Sequence, residues 1–425
     1  MKPVILTFAH FYLPGNLAGG PIRSITNMVD ILSDEFEFYI ITSDRDYGAS
    51  EPYKEVKLDQ WVTVGKAHVF YASNATLSFW RLAALIRTTP HDLVYLNSFF
   101  DPIFTVQPLI ALRFGLIPKK PVIIASRGEF SEGAFALKEW KKKPYLALSK
   151  WLGFYDKVFF HASTDLEKID IERIFNIRTQ SNNKNDISIA IDLVARADNT
   201  FYSEKVARTD NTFHSEKVAR ISIAPNLSSL SQPLSQPLSQ PVKLLQLCFL
   251  SRISPMKNLD YALRVLAEVK VSLDFSIYGP QEDKAYWEKC QLLIAKLPAN
   301  IQVFYKGSVD HQEVVNTLAH YDLFFLPTLG ENFGHVIHEA LRAGVPILLS
   351  DQTPWLDLEK KGVGWSLPLN TPSGFVQAIE NVAKWDEKTK RNVAERVLAY
   401  ADETGNNAQA IEQNLMLFRT ALSTH

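Results

Sequence analysis

The feature that most constrains this chain is a rhythm that appears twice. Short apolar runs alternate with amphipathic stretches, first over Val4–Ala9, Phe36–Ile41, Leu93–Leu96, Val122–Ala125 and Val158–His161. The amphipathic stretches between them are Ile22–Leu32, Leu77–Arg87, Ile103–Phe114 and Tyr145–Leu152. The rhythm returns at Leu244–Leu250, Phe275–Tyr278, Gln302–Tyr305, Leu323–Pro327 and Ile347–Ser350. Leu259–Val269, Tyr286–Ile294, Gln312–His320, Gly334–Arg342 and Pro372–Lys384 read as helices between these later strands. Buried strands alternating with helices make βαβ units and a parallel sheet. Two such series predict an α/β chain of two Rossmann-like, doubly wound halves.

Between the halves the pattern collapses. Val194–Lys205 (VARADNTFYSEK) is followed by a near copy at Val206–Lys217, and Ser231–Val242 repeats SQPL-like units. Two short copies cannot stack into a solenoid core, and Ser/Gln/Pro tracts make linkers. The predicted organisation is a first domain over 1–178 and an insert with linker over 179–241, with 221–227 as a last strand of the first domain. A second domain covers 242–404, and a terminal helix over 405–425 packs back toward the first domain.

Composition narrows the functions. Lys and Arg number 45 against 46 Asp and Glu, a net charge of -1, which excludes a broadly basic nucleic-acid binder. Two cysteines, Cys248 and Cys290, exclude a disulfide scaffold and a Cys-rich zinc site. The apolar runs are far shorter than the ~20 residues needed to span a bilayer, and Val4–Ala9 is too short for a secretion signal. The expected location is the cytoplasm.

Chemistry concentrates in two loops. Leu323–Pro327 leads into Thr328-Leu329-Gly330-Glu331-Asn332-Phe333-Gly334 and then a helix. Glu331 therefore projects at the carboxyl edge of a sheet, where open α/β folds bind ligands. Glu339 lies eight residues on, about 12 Å along a helix at ~1.5 Å per residue. The pair is too far apart for one proton transfer but suited to two parts of one long ligand, with an anion-binding helix N-terminus between them. Leu244–Leu250 leads into a second loop carrying Arg252 and Lys257, two cations that suit a diphosphate.

GENFGHVIHEALRAGVPIL resembles the E-x7-E signature of the retaining nucleotide-sugar glycosyltransferases of family 4, which have the GT-B fold: two Rossmann-like domains facing a cleft. FLSRISPMKNLD is similar to that family's phosphate-binding loop. SDQTPWLDLEKKGVGW, FYLPGNLAGGPIRSITNMV and ASRGEF resemble the branch that builds bacterial surface polysaccharides. The resemblance implies that Glu331 binds donor-sugar hydroxyls and that Glu339 holds the ribose. It implies that Arg252 and Lys257 neutralise the diphosphate, with Glu331, Arg252 and Lys257 as the catalytic set. Asn332, Phe333 and Gly334 would line the donor site, with Gly19 and Gly20 facing the diphosphate from the first domain. Arg127, standing where members often carry a His, would substitute as a donor contact. The implied partners are a nucleotide-diphosphate sugar and a saccharide or polyprenyl-linked acceptor, in polysaccharide, lipopolysaccharide or capsule biosynthesis. No cofactor and no metal are expected.

Other features compete. Asp44-Arg45-Asp46 resembles a metal-binding D-x-D but follows an early strand, away from the donor loops. His335 and His338 are spaced i,i+3, which does not favour one metal. Lys138–Lys157 interleaves lysines with Trp140, Tyr145, Trp151 and Phe154, a pattern for either an anionic membrane surface or a solvated helix. An epimerase or phosphorylase on the same fold, or a catalytically silent scaffold of a polysaccharide assembly complex, would share the architecture. An NAD dehydrogenase is disfavoured because no G-x-G-x-x-G follows either first strand.

Overall fold

The computed structural model describes residues 2–15, 17–136, 139–175, 220–227, 244–405 and 408–424. The tandem repeats, the Ser/Gln/Pro tract and Lys138 lie outside the described residues.

The first sheet comprises β1 (Val4–Phe8), β2 (Glu37–Ser43), β3 (Trp61–Val64), β4 (Ala67–Ala72), β5 (Leu93–Leu96), β6 (Val122–Ala125), β7 (Val158–Ala162) and β8 (Arg220–Ile223). Its order is β3-β4-β2-β1-β5-β6-β7-β8. All neighbours are parallel except β3 and β4. Every residue of β5, β6 and β7 is buried, as a sheet covered by helices on both faces requires.

Among the described residues, the β3–β4 hairpin is the addition to the predicted strands of this half. Gly65, with φ +59°, makes its tight turn, a conformation open to glycine at little cost. A second departure lies at Ile103–Phe114, expected as one helix. A π-turn over Pro102–Val106 precedes the α-helix Gln107–Arg113. Pro108 cannot donate to the preceding turn and crowds it, so the backbone widens there.

The second sheet comprises β9 (Leu245–Leu250), β10 (Leu273–Tyr278), β11 (Ile301–Gly307), β12 (Leu323–Leu326), β13 (Ile347–Ser350) and β14 (Gly364–Leu367). It is wholly parallel, in the order β11-β10-β9-β12-β13-β14. Reading its strands from the first, this is the 3-2-1-4-5-6 order of the doubly wound fold. The strand order reverses between β9 and β12, so the loops that follow those two strands part there and leave a crevice.

The last helix, Ala408–Ser423, belongs to the other half's core. Phe418 is fully buried, with ring centroids 5.3 Å from Phe36, 6.3 Å from Phe38 and 5.5 Å from Tyr95. The chain thus ends against the sheet on which it began. Among the described residues, no helix is long and apolar enough to cross a membrane.

Candidate functional site

The two loops singled out by sequence emerge on either side of the crevice, after β9 and after β12. Backbone bonds knit them together: Leu329 N–H donates to Met256 O at 2.8 Å. The Thr328 hydroxyl also donates to Met256 O at 3.0 Å. Asn258 takes a left-handed conformation, φ +59°, and its side-chain amide donates to Pro327 O at 2.9 Å. That staple turns the preceding residue toward the partner loop. Lys257 Nζ reaches Glu331 Oε2 at 2.5 Å, with both side chains largely covered.

Gly334 lets the loop enter the helix His335–Arg342. Its φ is +74°, and a Cβ there would lie 2.6 Å from Ile337 Cδ1 and 2.9 Å from Glu331 Cγ. A side chain at 334 would therefore displace the Glu331 carboxylate as well as the buried Ile337. Phe333 turns inward: its ring packs on His335 and Trp355, and its carbonyl accepts from Trp355 Nε1 at 2.5 Å. Of the expected donor-lining residues, Phe333 thus shapes the loop from behind. Asn332 donates to Ser163 Oγ at 3.2 Å, across the crevice, and its own carbonyl oxygen is buried without a hydrogen-bond partner.

Arg252 is held by an unforeseen residue. Its guanidinium donates to Glu282 Oε1 at 2.9 Å, and Tyr47 of the first half donates to the same oxygen at 2.7 Å. Glu282 Oε2 is buried and unpartnered. Burial, and then the neighbouring Glu282, push the Tyr47 hydroxyl above its ordinary value.

Glu339 is the most enclosed carboxylate of the site, with its side chain 10% exposed. Burial raises its pKa, and the positive charge of Arg23 works in the opposite direction. Arg23 of the first half pairs with Oε1, which His311 Nδ1 also approaches at 3.6 Å. Oε2 is buried and has no hydrogen-bond partner. An unsatisfied buried carboxylate oxygen is costly, and a ligand hydroxyl would satisfy it.

The glycine loop faces this group. Gly19 has φ +68°, and a Cβ on Gly20 would stand 3.8 Å from the His335 ring. Ser24 Oγ donates to Gly20 O at 3.1 Å and meets His335 Nε2 at 2.9 Å. Burial, aided by Arg23, lowers the His335 pKa to about 3, so its ring is neutral.

Arg127 sits on the same side of the crevice, with φ +51°, but all three guanidinium nitrogens are engaged within the first half. They donate to Asn97 Oδ1 at 2.6 Å, to Asn226 Oδ1, and to Tyr95 Oη at 2.8 Å. The next residue, Gly128, approaches the donor loop: a Cβ there would lie 3.3 Å from Asn332 Cβ.

The competing motifs have local explanations. Asp44 pairs with Arg45 at 2.7 Å, and Asp46 accepts from Leu17 N at 3.2 Å and Tyr47 N at 2.7 Å. His338 turns away from His335, its Nε2 lying 3.2 Å from Ala401 O. In the basic segment the helix runs over Glu139–Trp151. Trp140, Leu148 and Trp151 are 73%, 55% and 81% exposed, whereas the Lys142 ammonium turns in to Ala134 O at 2.6 Å.

Sequence reasoning missed Arg23, Tyr47 and Glu282. Each acts across the crevice from a residue hundreds of positions away or in another loop, and no local spacing marks such a partner. Arg23 falls only three residues beyond Gly20, and that proximity was the one available signal.

Residues 232–397 match the family model described as glycosyl transferases group 1, a range that contains Arg252, Lys257, Glu331 and Glu339. Among curated proteins, the chain is similar to the GtfA subunit of the Streptococcus agalactiae UDP-N-acetylglucosamine–peptide N-acetylglucosaminyltransferase, 28% identical over 141 residues. That match covers 32% of this chain and 26% of the relative, so the chain spans about a quarter of that relative's length. Among solved structures, sucrose-phosphate synthase from Thermosynechococcus elongatus superposes with TM-score 0.69 at 13% identity, covering 100% of both chains. Anabaena HepE in complex with UDP and glucose does so with TM-score 0.64 at 14% identity, also covering 100% of both. These likenesses establish the fold as the α/β, two-domain GT-B arrangement.

Proposed function

We propose that the protein is a retaining glycosyltransferase. It moves a sugar from a nucleotide-diphosphate donor to a saccharide or polyprenyl-linked acceptor, in the building of a surface polysaccharide, lipopolysaccharide or capsule. One observation carries the reading: the Lys257–Glu331 pair and the half-satisfied Glu339 flank one helix N-terminus at the switch point of the second sheet. The match to glycosyl transferases group 1 over the same residues supports it, as does a neighbour of the same fold solved with UDP.

In this reading the ribose hydroxyls take Glu339, and the diphosphate takes the N–H groups at Gly334–His335 with Lys257 and Arg252. As the anomeric C–O bond breaks, negative charge builds on the diphosphate, and positioned cations stabilise it most in the transition state. These cations do what a divalent metal would otherwise do, so no metal is required. Glu331 orients the sugar. Among the described residues, the two donor loops carry no carboxylate besides Glu331 for a covalent double displacement. The acceptor oxygen therefore attacks from the face the phosphate leaves. Its proton passes to the departing phosphate oxygen, and the new bond keeps the donor's configuration. The protein works in the cytoplasm, peripherally at the inner membrane face, where exposed Trp140 and Trp151 beside Lys141 and Lys143 suit an anionic surface.

The test is incubation with a panel of nucleotide sugars and saccharide acceptors, with the product followed by NMR. A new glycosidic bond of unchanged anomeric configuration is expected. An inverted centre, or no turnover of any nucleotide sugar, would sink the assignment.

A further inference from the structure

Arg23 belongs to one half of the molecule and is paired with a ligand-binding candidate of the other. It lies in the first turn of the helix Gly20–Leu32, carried by the first sheet. Its guanidinium nevertheless contacts Glu339 on the helix His335–Arg342 of the second. The contact is one-sided. A permanent structural Arg–carboxylate pair gains most from two parallel bonds, yet only Oε1 is engaged and Oε2 stays buried and unpartnered.

The surroundings point the same way. Arg23 helps, after burial, to depress the pKa of His335 to about 3. That ring is therefore neutral and contributes no charge. Arg23, Lys257 and Arg252 stand as cations around the crevice, each paired with a carboxylate of this chain: Glu339, Glu331 and Glu282, while Arg127 is engaged within the first half and Arg342 also bears electrostatically on Glu339. The next residue, Ser24, is docked on His335, the first residue of the helix. That contact fixes Arg23 beside the helix N-terminus. His335 and Glu339 are one turn apart, about 6 Å along the axis, a span that a long Arg side chain covers by rotamer change alone.

We propose that Arg23 is a third cation of the diphosphate site, supplied by the first domain, which holds Glu339 while the site is empty and passes to the diphosphate when the ribose takes Glu339. This inference rests on the donor-site reading above. It makes donor binding an exchange of ion pairs in which the nucleotide itself draws the two domains onto one ligand.

The test compares UDP, GDP and ADP, each with its own nucleoside, by calorimetric titration of the full chain and of Arg23→Gln and Arg23→Lys. The gain in affinity from nucleoside to diphosphate isolates the phosphate contacts. In Arg23→Gln that gain should shrink roughly 10- to 100-fold, the weight of a charge-assisted hydrogen bond, while nucleoside affinity holds or rises because Glu339 is freed. Arg23→Lys should restore part of the gain. An unchanged gain in Arg23→Gln would overturn the proposal and leave Arg23 a strut between the halves. Failure of the parent chain to bind any of the three diphosphates would remove the donor-site reading itself, and this proposal with it. Thermal unfolding of each variant checks that the fold persists.

Discussion

Lys257 and Glu331, 74 residues apart in sequence, meet at 2.5 Å across the switch point of the second sheet. The pair joins the cation expected at the leaving group to the carboxylate expected at the sugar. Removing either side chain strands the other in a largely covered place, which costs more than an exposed pair would.

Lys257→Ala and Arg252→Ala should each lower turnover by roughly 10²–10³-fold, the usual effect of deleting one positioned charge-stabilising group. Initial rates with a saturating nucleotide sugar measure this. Near-parental rates in both variants would take these residues out of the mechanism.

The two carboxylates should separate in a pair of assays. Glu331→Gln should cut turnover while leaving nucleotide diphosphate affinity nearly unchanged, because its contact is to the sugar. Glu339→Gln should instead weaken nucleotide binding by about tenfold, since an amide supplies one acceptor oxygen where the carboxylate supplies two. Calorimetry with the diphosphate, set beside rates, distinguishes the outcomes.

Activity should persist in excess chelator. Loss of activity restored by magnesium or manganese would show that Arg252 and Lys257 do not suffice, and would return attention to Asp44 and Asp46.

Acid should destabilise the fold through histidines buried in the neutral form. His161 is fully enclosed: its Nδ1 lies 2.9 Å from Tyr95 Oη and its Nε2 2.6 Å from Ala224 O. Arg127 donates to Tyr95, so the Tyr95 proton points to Nδ1 and Nε2–H points to the carbonyl. A second ring proton has no acceptor there. Burial, with Arg127 adding to it, lowers the His161 pKa to about 3. The unfolded chain takes up that proton near pH 6.5 and the folded chain only near 3, so stability is full above ~6.5 and falls as pH drops toward 3. The slope from one such group is at most about 1.4 kcal/mol per pH unit. Denaturant unfolding of the parent and of His161→Gln at pH 7 and pH 5 should show a smaller loss in the variant.

Lys141→Glu with Lys143→Glu should weaken binding to vesicles rich in anionic lipid, each lysine contributing about 1 kcal/mol at such a surface. Lys142 is left intact because its ammonium bonds within the protein. Equal vesicle binding by parent and variant would make the Glu139–Trp151 helix an ordinary solvated one.

Periodicity and loop chemistry already specified much of this. Buried strands such as Leu93–Leu96, Val122–Ala125 and Ile347–Ser350 stand where apolar runs stood in the sequence, because a parallel strand covered on both faces must be continuously apolar. Glu331, Glu339, Arg252 and Lys257 were legible for a related reason. Glu331, Arg252 and Lys257 follow a strand by a few residues, and in a doubly wound sheet that distance sets the edge at which a residue emerges, while Glu339 lies about two helical turns beyond Glu331. Local pattern was silent on what lies across the crevice. That Arg23 meets Glu339, that Tyr47 and Arg252 share Glu282, and that Arg127 turns to Asn97, Asn226 and Tyr95 depend on how the two halves and their loops pack. The charge of a side chain is written in the sequence. Its partner is set by which surfaces the tertiary structure brings within 3 Å or so, and between residues hundreds of positions apart no spacing rule encodes that choice.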